Sequence, residues 1–67
     1  MRVHTLYFKE QRQAEAAKRV VPSGEVGTLH GSPVLQFVTQ DPIKQTDRSR
    51  IDFCACPTRS VFNVILY

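Results

Sequence analysis

No apolar stretch of this 67-residue chain approaches the roughly 20 residues that a membrane-spanning helix requires. The opening residues, Met1-Arg2-Val3-His4-Thr5, lack the long apolar core of a secretory signal. No Gly-rich phosphate loop is present, and the three glycines and four prolines fall mainly between periodic segments. There is no internal repeat, no low-complexity segment and no block of like charge. The expectation is a complete small reading frame that stays in the cytoplasm and has no membrane partner. A hydrophobic fraction of 42% and a charged fraction of 22% describe a globular chain rather than a disordered one.

Length leaves room for one domain, residues 1–67. A chain of this size buries only about 60% of the surface its unfolded form exposes, so self-association or a metal often supplements the core. The two cysteines are Cys54 and Cys56. Placed on a strand, they point to one face with Cα atoms about 7 Å apart, a poor geometry for a mutual disulfide. Reduced thiols are expected, in keeping with an intracellular setting.

The best-patterned segment is Val61 to Tyr67, seven residues without charge, Gly or Pro and rich in β-branched and aromatic side chains. It reads as a strand. Left unpaired it would template aggregation, so it must lie within a sheet, lie under a helix or pair with a second copy. Arg2 to Phe8 reads as another strand, with His4, Leu6 and Phe8 on one face and Val3, Thr5 and Tyr7 on the other. Glu10 to Val21 is rich in Ala, Glu, Gln, Lys and Arg and reads as a helix, with an i,i+4 pair at Glu15 and Arg19. Its stripe of Ala14, Ala17 and Val21 suits close packing on a sheet. Pro22-Ser23-Gly24 ends it.

Glu25 to His30 and Val34 to Thr39 read as strands joined by a hairpin turn at Gly31-Ser32. Asp41 to Ser49 reads as a polar loop. Ile51 to Cys56 reads as a further strand, paired in a hairpin with the terminal one. The expected fold is α+β: one helix, in the N-terminal half, packed on a mostly antiparallel sheet of four to five strands, in the order β-α-β-β-β-β.

Few residue sets carry chemistry. Cys54 and Cys56 with His4 and His30 form the one set able to ligate zinc, but a single intervening residue is short for a structural zinc site. A nucleophilic cysteine needs a cation or base to lower its pKa, and nothing in the sequence places one beside a mid-strand thiol. Asp41, Asp47, Asp52 and Glu25 are spread over loops and strand edges, whereas metal-assisted hydrolysis needs at least two to converge. No catalytic, cofactor-binding or metal-binding residue is assigned, and the chain is read as non-enzymatic.

The net charge of +3 and pI of about 9.2 give weak support to a polyanionic partner. The residues chosen for partner contact are Arg12, Arg19, Lys44, Arg48 and Arg50. The expectation is a small protein that binds another macromolecule, foremost a protein-binding modulator or inhibitor of the kind encoded by phages and mobile elements. A small basic nucleic-acid-binding module is the alternative. A homodimer through the C-terminal strand is a further expectation of the partner set.

Overall fold

Alternation of His4, Leu6 and Phe8 with Val3, Thr5 and Tyr7 gives the first strand, β1 (Arg2–Tyr7), two chemically different sides, and the chain builds a separate layer on only one of them. The computed structural model describes residues 1–66. The elements that follow are α1 (Gln11–Val20), β2 (Glu25–Leu29), β3 (Ser32–Thr39), α2 (Gln45–Ala55) and β4 (Arg59–Ile65). Tyr67, which the sequence assigns to the last strand, lies outside the described residues.

The four strands form one sheet in the order β2-β3-β1-β4, with every neighbouring pair antiparallel. It follows that β1 and β2 run parallel with β3 between them, and β3 and β4 run parallel with β1 between them. Each parallel pair needs a crossover, and a helix supplies it. The connectivity is a double split β-α-β unit. The α+β class and an antiparallel sheet of four strands are as expected, but the described residues form two helices where one was expected, in the order β-α-β-β-α-β.

The second helix is the main correction. Residues 45–55 are helical, not a polar loop followed by a strand. Ile51, Phe53 and Ala55 alternate as on a strand, but only Ile51 and Ala55, one helical turn apart, are buried. Phe53 is 87% exposed. The supposed hairpin of residues 51–56 with the terminal strand is therefore absent, and β4 pairs with β1 instead. β4 thus lies within the sheet, as an edge strand.

The β2–β3 turn also lies one residue earlier than Gly31-Ser32. Leu29 pairs with Ser32, and the two central residues, His30 and Gly31, have φ of 52° and 80°. Both are left-handed, as a type I′ hairpin turn requires. Gly24 marks a close approach between backbone and core, since an added Cβ would sit 3.0 Å from Leu35 Cδ1.

The core lies between the helices and one face of the sheet. Leu6, Leu35 and Phe37 contribute from the strands, Phe8 from just beyond β1, Ala14 and Ala17 from α1, and Ile51 and Ala55 from α2. Burying each large side chain is worth about 2 kcal/mol. The alanines of α1 keep that helix close to the sheet, as their spacing predicts. The last turn of α1 carries Lys18 and Arg19, which complement its dipole.

Candidate interaction surface

Register fixes which side chains share the face that no helix covers. From β1 these are Met1, Val3, Thr5 and Tyr7; from β3, Ser32, Val34, Gln36 and Val38; from β4, Arg59, Val61 and Val64; from β2, Glu25 and Leu29, with Gly27 between them. Leu66 joins them, because its N–H donates to the Met1 carbonyl at 3.1 Å and continues the β1–β4 ladder. The face divides into two halves. At one end Arg59 stacks on the Tyr7 ring, 5.7 Å from its centroid, beside buried Val34. In the middle, Gln36 Nε2 donates to Thr5 Oγ1 at 3.3 Å.

The other end is apolar and open. Val38, Val3 and Val64 lie side by side across three strands, and Met1 and Leu66 extend the row. Val38 is 50% exposed, Val64 44%, Met1 58% and Leu66 50%, with Val3 half-buried among them. Directly opposed residues on neighbouring strands have Cβ atoms about 5 Å apart, so the five side chains make one contiguous patch. Scattered exposed apolar groups are ordinary; a contiguous set on an uncovered sheet face marks a contact surface.

The patch stands on a rigid frame organised by His4. The β1–β4 register shifts between Val3 and Thr5, so that Phe62 and Asn63 together oppose His4 in a β-bulge. Asn63 takes up the extra residue with φ of 62°. Its N–H donates to His4 Nδ1 at 2.9 Å, and its Oδ1 accepts the Ile43 N–H at 3.0 Å. Because Nδ1 accepts, the neutral ring carries its proton on Nε2 and donates to Thr39 Oγ1 at 2.8 Å. The Thr39 hydroxyl in turn donates to the Asp41 carbonyl at 2.7 Å. Burial, with a smaller contribution from the Arg2 charge, holds the His4 pKa below its ordinary 6.5. His4 is thus a buried core residue with both ring nitrogens hydrogen-bonded.

The cysteines are likewise not placed as the sequence pattern suggests. Cys54 lies on α2 and Cys56 caps that helix in the left-handed region, and both are exposed free thiols. His4 is fully buried and His30 sits exposed in the β2–β3 turn, so the four residues share no site. Among the described residues, no group of three or more His, Cys, Asp or Glu side chains converges. No helix among them is long and apolar enough to cross a membrane.

The five cations chosen for partner contact are dispersed over the helical layer. Arg12 pairs with Glu10 at the start of α1, and exposed Arg19 lies at its end. Arg48 stacks on Phe62, 4.7 Å from the ring centroid, which ties α2 to β4. Lys44 and Arg50 come together in a half-open groove of about 440 Å³ between the end of α1 and the start of α2. Asp41 and Asp47 line the same groove, so its charges balance. Two carboxylates thus line one groove, alongside two cations. The residues that the sequence does not single out are those of the sheet-face patch, which only strand order assembles.

No protein-family model, curated protein or solved structure matches the chain.

Proposed function

We propose that this protein is a non-catalytic binding module that docks another protein onto the helix-free face of its sheet. The observation that carries the reading is the contiguous patch of Met1, Val3, Val38, Val64 and Leu66 on a face without a covering layer. A chain of 67 residues has little apolar surface to spare, so placing five such groups outside the core costs stability that a bound partner returns. Such a module works by occluding surface, the mode of a small modulator or inhibitor, in a cytoplasmic setting where its free thiols stay reduced.

Nucleic acid is less well suited to this face. Single-strand recognition on an open four-stranded sheet uses two or three aromatic side chains to stack bases. Among the described residues of this face Tyr7 is the one aromatic, with Arg59 already on its ring. The helical cations are scattered or balanced, where phosphate binding gathers them on one surface.

Affinity capture with wild type, Val38→Glu and the Arg48→Ala/Arg50→Ala double variant tests the reading. It expects a protein partner that survives a high-salt wash, is lost with Val38→Glu and is kept by the arginine variant. Capture of nucleic acid alone, released by salt and abolished by the arginine changes, would overturn it.

A further inference from the structure

We infer that the protein seated on this face is a second copy of the same chain, an inference that rests on the sheet face being the contact surface. The two edges of the sheet differ in a complementary way. β2 begins at Glu25, opposite Gln36, so beyond that level β3 has no strand beside it among the described residues. The corner left open is a depression of about 300 Å³ bordered by Val3, Ser23, Glu25, Gln36, Phe37 and Val38. At the same end of the sheet, the opposite edge does the reverse: β4 runs on, setting Val64 beside Val3 and Leu66 beside Met1.

A two-fold axis parallel to the strands, lying above the space between β1 and β3, superposes these features. It lays the β4 edge of each copy across the β2 edge of the other and preserves level along the strands. Val64 of one copy then faces the depression of the other, and β1 of each copy lies over β3 of the other, so that Val3 meets Val38 twice. An in-plane axis perpendicular to the strands would instead set the apolar end over the Tyr7–Arg59 end.

Charge agrees with the first axis. Among the strand residues of this face, the charged ones are Glu25 on β2 and Arg59 on β4. They stand at opposite edges and one step of about 7 Å apart in level, within reach of an arginine side chain. The two-fold brings each against the other twice. Arg12, Lys18, Arg19, Arg48 and Arg50 lie on the helices, on the far layer, where screening separates them across the pair.

Area is sufficient. Four strands about 4.8 Å apart and about six residues long present roughly 400 Å² in projection. With side-chain relief, a pair of copies removes on the order of 1,000 Å² of accessible surface, at the threshold for a specific interface. Aligned packing of two sheets face to face is a common solution for such surfaces.

Sedimentation equilibrium on the untagged full chain is the test, with circular dichroism and urea midpoints verifying that each variant folds. Wild type is expected at twice its 7.6 kDa mass. Val64→Glu is expected to weaken the dimer by more than about 100-fold, because each copy would bury an unpaired charge. Glu25→Arg and Arg59→Glu are each expected to weaken it by about 10-fold and to restore it when combined. A wild-type monomer, with capture of a different protein that Val64→Glu abolishes, would overturn the second copy and leave the sheet-face reading standing. A dimer that none of these substitutions weakens would overturn both.

Discussion

The His4 imidazole accepts the backbone N–H of Asn63 through Nδ1 at 2.9 Å, joining the first strand to the last across nearly the whole chain. The same ring donates to Thr39, so one side chain satisfies groups on both neighbours of β1. Replacing it strands a backbone donor inside the sheet. His4→Ala is expected to cost about 3–4 kcal/mol, from the lost ring volume and the unpaired N–H together. The drop in urea midpoint measures it.

Stability should fall on the acid side. Burial lowers the His4 pKa in the folded chain, with Arg2 adding to the effect, so the unfolded chain takes up this proton first. The contribution of the neutral ring is fully present above its unfolded value of 6.5. It is lost as pH falls from there through the folded-state pKa, by at most about 1.4 kcal/mol per pH unit for one group. Urea titrations between pH 8 and pH 5 test this. His4→Phe should remove that share of the slope while starting from a lower stability.

Asn63 has two separable duties. Its backbone occupies the left-handed region and its side chain caps the Ile43 N–H. Asn63→Gly keeps the first and loses the second, and should cost about 1 kcal/mol. Asn63→Ala loses both and should cost about 2 kcal/mol or more. Equal losses in thermal unfolding would mean that the bulge conformation contributes nothing.

Much of this fold is legible in the residues themselves. β1, α1, β2, β3 and β4 lie within a few residues of their expected positions, because each carries a clear period or a strong stop signal. α2 does not. Its buried face consists of Ile51 and Ala55 alone, too short a stripe to outweigh the strand-like alternation of Ile51, Phe53 and Ala55. What makes the segment helical is tertiary: β4 must reach the far side of β1, and only a crossover gets it there. The sheet-face patch is illegible for the same reason. Val3, Val38 and Val64 are far apart in sequence and become neighbours only through strand order.

Two left-handed positions occupied by ordinary residues offer easy gains. His30 has φ of 52° in the hairpin turn and Cys56 φ of 46° at the end of α2. His30→Asn should stabilise by about 0.5 kcal/mol, since Asn is favoured at the first central position of this turn. Cys56→Gly should gain about 0.5–1 kcal/mol at a helix end that prefers glycine. Calorimetry should show melting temperature rising by about 3–5 °C for the second.

Whether the sheet face is where a protein docks is decided most directly by photocrosslinking in cells from that face itself. A photoreactive amino acid would stand in place of Val38, with the same group in place of Arg12 on the helical layer as the control. Docking on the sheet predicts covalent protein adducts from position 38, including one at twice the mass of the chain, and none of those adducts from position 12. Adducts to nucleic acid alone, or protein adducts confined to position 12, would contradict it.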